Sequence, residues 1–208
     1  MTEPTIAFAT PAAWEAWLAD HHADSTGLQL KLAKKGATAT SVTYPEALDV
    51  ALCFGWIDAR KQGLDDDWWL QRFTPRTPRS RWSKINRTRA EQLIEQGLVR
   101  DPGLRAIEAA RADGRWEAAY EGQRTAEVPD DLHDALAQSE RASAFFATLD
   151  RVNRYAILHR IGAPGTPETR ARRVARYVAM LEAGERIQDA SGPSARRAGP
   201  GPPATRRR

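Results

Sequence analysis

Cysteine is nearly absent from this chain: Cys53 is the only one in 208 residues. A single thiol cannot close an internal disulfide. Its setting, Ala51-Leu52-Cys53-Phe54, reads as a small buried hydrophobe in a reducing compartment. Long apolar runs are missing too, which excludes a transmembrane helix. The opening residues, MTEPTIAFATPAAWEAW, show no positively charged start and no apolar signal stretch, so the expected location is the cytoplasm. There are only four histidines, and His21-His22 are adjacent on a helix end, where their side chains diverge; metal-binding helices space ligands four apart. A glycine-rich phosphate loop and a Gly-x-Ser-x-Gly elbow are also lacking. No metal, cofactor or nucleophile triad is expected.

Charge needs dissecting before it is used. The net charge is +4, but Ser191–Arg208 holds five arginines and no acid, which turns 31 basic against 27 acidic residues into 26 against 27. That Pro/Gly/Arg tail lacks large apolar side chains and is expected to be disordered. Basic character inside the body is local. From Arg60 to Arg89 nine Lys/Arg stand against three Asp, an excess of +6.

Periodicity predicts an α+β fold. Thr10-Pro11 opens a helix carrying Trp14, Trp17 and Leu18, and Thr43 with Glu46 forms a capping box for another that Gly55 ends. Alternation marks Leu28–Lys34, Trp56–Lys61 and Trp68–Phe73, which predicts a small three-stranded antiparallel sheet with helices in the N-terminal half. Helical periods and caps fill the remainder, so the C-terminal half is expected to be all helical. The expected domains are residues 1–124, residues 125–190 and the tail 191–208.

Chemistry concentrates between Tyr44 and Asn86, which hold four of the seven tryptophans along with Cys53 and most of the local arginines. Phe73-Thr74-Pro75-Arg76 leaves a strand, and Ser80-Arg81-Trp82-Ser83-x-x-Asn86 enters a helix. Ser83 reads as its N-cap, which places free N–H groups and the positive helix end beside Arg72, Arg76 and Arg81. Trp82 offers a stacking wall, and strand alternation puts Trp56, Asp58 and Arg60 on one face. Asp58, Arg72, Arg76, Ser80, Trp82, Ser83 and Asn86 are therefore the candidate ligand-binding residues, for a small anion. No catalytic residue is identified. Each of these residues also has a structural reading: Ser83 as a plain cap, Asp58 as an ion-pair partner of Arg72 or Arg76, Trp56 and Trp82 as core. Arg76, in a loop after proline, reads as an exposed cation.

These motifs carry a resemblance. With Tyr44-Pro45-Glu46-Ala47-Leu48, Gly55-Trp56-Ile57-Asp58, Arg72-Phe73-Thr74-Pro75-Arg76, Val128-Pro129-Asp130-Asp131-Leu132 and Glu168–Arg173, the chain resembles the YdeI/OmpD-associated (OmdA) family of bacteriocin-protection type over roughly residues 10–185. The resemblance implies a stress, bacteriocin or antimicrobial-peptide tolerance protein, and it assigns no enzymatic activity. Two other functions fit the residues. One is a nucleic-acid-binding accessory protein using the basic 60–89 segment and the tail; the other is an interaction module that docks a protein partner on a tryptophan-rich surface.

Overall fold

The structure is a computed structural model that describes residues 3–123 and 125–187. The tail at 191–208 lies outside the described residues. The chain divides into two compact units, Met1–Thr125 and Ala126–Arg208.

Unit 1 runs β1 (Thr5–Ile6), α1 (Pro11–His21), β2 (Leu28–Ala33), α2 (Tyr44–Cys53), β3 (Trp56–Gly63), β4 (Trp68–Pro75), α3 (Lys84–Glu95) and α4 (Asp101–Ala112). Its sheet has the order β1-β2-β4-β3. This corrects the three-stranded antiparallel sheet predicted from alternation: there are four strands, and β1 lies parallel to β2. Two residues are too few to show a period, so β1 leaves no mark in the sequence. It joins the sheet at Thr5↔Gln29 and Ile6↔Leu30, with Gln29 N donating to Pro4 O at 2.9 Å.

Register fixes the two faces of this sheet. Leu28, Leu30 and Leu32 of β2 lie opposite Phe73, Gln71 and Trp69 of β4, and the three leucines are fully buried. They meet Trp14 and Leu18 of α1, Ala47, Ala51 and Leu52 of α2, and Trp56, Trp82, Leu93 and Ile107 in one core. Gln29, Lys31 and Arg72 alternate onto the opposite face. Between Asp58 and Lys61 the β3–β4 ladder shifts register, so one residue of β4, Arg72, faces two of β3, Ala59 and Arg60. The buried Gln71 side chain fills this bulge, donating from Nε2 to Ala59 O at 3.2 Å and Arg60 O at 3.4 Å. The alternation expected for Trp56, Asp58 and Arg60 is thereby broken, and Lys61 takes the place beside Asp58.

Unit 2 contains α5 (Asp130–Ala137), α6 (Glu140–Ala147), α7 (Arg151–Ile161) and α8 (Pro167–Glu182). Side chains of Ser139, Asp150 and Thr166 cap α6, α7 and α8. The core joins Leu132, Phe146, Ile157, Ile161, Tyr177 and Leu181. No helix among the described residues is long and apolar enough to cross a membrane.

Cys53 ends α2 within the unit 1 core, and its thiol is pushed up to about 11, by burial first and then by the charges of Glu15 and Asp49. Native protein at pH 8 should therefore react with a thiol reagent about a hundredfold more slowly than the unfolded chain. Equal rates in buffer and in denaturant would contradict this burial.

Candidate functional site

Arg76 is the centre of the site, and its setting follows from the end of β4. Trp56↔Pro75 is the last pair of the β3–β4 ladder, after which Arg76 N still donates to Gly55 O at 2.9 Å. The backbone is thus pinned while the side chain swings onto Trp82. The guanidinium carbon lies 3.4 Å from the centre of that indole, and Nη1 donates to Arg81 O at 3.1 Å. Nε and Nη2 are buried and meet no hydrogen-bond partner on the protein. Arg76 is half-buried, not the exposed cation that its loop position suggests. Burial is the main cause that brings its guanidinium down to about 10; the charges of Tyr120 and Asp58 oppose the shift, and Arg115 adds to it.

Trp82 is only 1% exposed, with Trp116 edge-on at 4.7 Å. The segment carrying it is tied to Tyr120: Tyr120 N donates to Trp82 O at 3.0 Å, and Lys84 N donates to Tyr120 O at 2.8 Å. Arg81 stacks over the Tyr120 ring at 4.7 Å. Burial is the largest influence on the Tyr120 phenol and raises its pKa.

Asp58 stands on the core-side face of β3, where its Oδ2 accepts from the Tyr44 hydroxyl at 2.9 Å. Burial, then the charge of Asp58 and this hydrogen bond, push the Tyr44 phenol above its usual range. Asp58 is close enough for its charge to act on Arg76, Tyr44 and Tyr120 alike.

The remaining candidates separate. Arg72 occupies the opposite sheet face and grips Glu3 by Nε, at 2.7 Å, and by Nη2. Ser80 Oγ closes a turn with Thr77 N at 2.9 Å, and Ser80 O accepts from Arg115 Nη1 at 2.9 Å. Ser83 caps α3, accepting from Asn86 N at 3.2 Å. With Lys84 N held by Tyr120 O, two of the first N–H groups of α3 already have partners, so the positive charge of this region rests on arginine side chains more than on an open helix end. The structure therefore gathers Asp58, Arg76 and Trp82 and sends Arg72 elsewhere. Tyr44, Tyr120, Arg105 and Arg115 enter without a sequence signal beyond the Tyr44 motif. A cleft of about 320 Å³ opens beside Arg76, lined also by Thr77, Pro78, Arg105, Asp113 and Arg115.

Other chemistries find less here. His21 and His22 turn their Nδ1 atoms to Trp17 O and Leu18 O of their own helix, at 2.8 and 2.9 Å. Among the described residues no group of three or more His, Cys, Asp or Glu could hold a metal ion.

Comparison with known families divides the chain. Residues 6–106 match a family described as a domain of unknown function (DUF8412), and residues 125–184 match the family described as bacteriocin-protection, YdeI or OmpD-associated (OmdA). The Arg76 and Trp82 motifs thus fall in the former match, and the family label belongs to the C-terminal segment. No curated protein and no solved structure matches the chain.

Proposed function

We propose that this protein, whose residues 125–184 are a YdeI/OmpD-associated (OmdA) domain, binds a small oxyanion in unit 1 at Arg76, and that it serves stress or antimicrobial-peptide tolerance in the cytoplasm. One observation carries the binding. The Nε and Nη2 atoms of Arg76 form the edge of a guanidinium that grips a carboxylate or phosphate with two parallel bonds. Arg72, Arg89 and Arg170 each present this same edge to a carboxylate, of Glu3, Asp49 and Asp131. Arg76 alone among these four has the edge buried and unpartnered. Leaving buried donors unmatched costs about 1–3 kcal/mol, which an arriving anion recovers. Arg76 also lines a cleft of about 320 Å³, through which an anion reaches its guanidinium. The tolerance role rests on the bacteriocin-protection description of the family that residues 125–184 match.

The nucleic-acid reading draws less support. Of the nine cations between Arg60 and Arg89, Arg72, Lys84, Arg87 and Arg89 pair with Glu3, Glu121, Glu91 and Asp49, so the +6 of the sequence falls to +2.

Thermal melts of wild type, Arg76→Lys and Arg76→Ala, with and without phosphate at constant ionic strength, test the proposal. Phosphate should stabilise the wild type. The lysine variant keeps the charge and loses the fork, so its response should fall about tenfold in affinity, and that of the alanine variant should vanish. Equal anion stabilisation of all three would sink it.

A further inference from the structure

We infer that the ligand of unit 1 is doubly charged, a small phosphomonoester, and that Arg105 is the residue that selects its second charge; this rests on the anion site proposed at Arg76. Three guanidiniums line one cleft of about 320 Å³, those of Arg76, Arg105 and Arg115, and Asp113 is its acidic lining residue. Their roles differ because their hydrogen bonds do. Arg115 is committed: Nε donates to both oxygens of Asp113, at 2.9 and 2.8 Å, and Nη1 donates to Ser80 O at 2.9 Å. It is a fixed charge on the wall, and Asp113 balances it.

Arg76 supplies the unpartnered fork, held over Trp82. Arg105 is exposed on α4, and its side chain makes no hydrogen bond or ion pair with any described residue. Its donors are therefore available at the mouth of the cleft. Among the residues that line the cleft, three arginines stand against Asp113, which leaves two positive charges around a space the size of a small-ligand pocket; Asp58 acts on Arg76 from outside this lining.

A monoanion such as a carboxylate answers one of these charges. A phosphate monoester answers both, and its tetrahedral oxygens offer one pair to the fork of Arg76 and another to Arg105. The rest of the lining is small: Thr77, Pro78, Ala106 and Ala109 leave room for a short ester group and present no aromatic face for a base.

Monomethyl phosphate and dimethyl phosphate separate the charge from the shape, since both are tetrahedral and only the first is a dianion at pH 8. Calorimetric titration at constant ionic strength should give the monoester at least about a tenfold advantage on the wild type. Arg105→Ala, an exposed helix position, should fold normally and erase that advantage by weakening the monoester at least about tenfold and dimethyl phosphate clearly less. Arg76→Lys should weaken both esters. Equal binding of the two esters to wild type, or an advantage that survives Arg105→Ala, overturns the dianion assignment and leaves the Arg76 site standing. Failure of both esters and of inorganic phosphate to bind the wild type overturns the site itself, and the assignment with it.

Discussion

Replacing Trp82 by alanine should destabilise unit 1 by about 3–5 kcal/mol, the range for removing a large aromatic from a packed core. The indole is almost wholly buried, packs edge-on against Trp116, and carries the Arg76 guanidinium on its face. Truncation opens a cavity and also strips the stacking partner from a cation that is already short of hydrogen bonds. Trp82→Phe keeps an aromatic surface and deletes the unpartnered Nε1–H, so it should cost clearly less. For a chain of this length each kcal/mol moves the melting temperature by roughly 2–4 °C, which puts the alanine variant well within calorimetric reach. The two units need not melt together, so the loss should be read in one transition rather than in a single global midpoint. A Trp82→Ala midpoint within about 2 °C of wild type would show that the indole is not the floor of the site.

Gly103→Ala should cost toward the upper end of the roughly 1–3 kcal/mol typical of overpacking, and Gly103→Val more. Gly103 lies in the first turn of α4, where that helix crosses the end of α2. A Cβ there would sit 2.3 Å from Cys53 O and 2.8 Å from Val99 Cγ1. The nearer obstacle is a backbone carbonyl that also accepts from Arg100 N at 3.0 Å, so it cannot swing aside without breaking that bond. The approach is closed from the other side as well. Gly55 has φ +72°, and a Cβ on it would lie 2.8 Å from Pro102 O. Because Gly55 O anchors Arg76 N, pushing α4 away from this segment should also loosen the proposed anion site. Denaturant titration of Gly103→Ala checks this, and a wild-type midpoint would contradict the close contact.

Local signals were legible in the sequence where they had enough length to repeat. Leu28, Leu30 and Leu32 mark β2, and Thr10, Thr43, Ser83 and Thr166 mark helix starts because capping is chemistry between near neighbours. The two-residue β1 was beyond that reach, and with it the parallel pairing that makes the sheet mixed. The bulge after Asp58 was invisible because it depends on Gln71 donating across the ladder. At the proposed site, the density of tryptophan and arginine marked the stretch that holds Arg76 and Trp82. It did not distinguish Arg72 from Arg76, since that difference rests on Glu3, 69 residues from Arg72 in sequence. Arg105 and Arg115 reach the cleft, and Tyr120 reaches Arg81, through folding alone. Arg76 read as exposed because nothing local says that Trp82 lies beneath it.

The most direct measurement is the Nε–H resonance of Arg76 in ¹⁵N-labelled protein, assigned by comparison with Arg76→Lys and followed through a phosphate titration at constant ionic strength. A saturable shift of this resonance is expected, with Arg72, Arg89 and Arg170 unmoved because their forks already hold carboxylates. An Arg76 resonance that stays still, or one that drifts in step with every other arginine, would contradict an anion site at this fork.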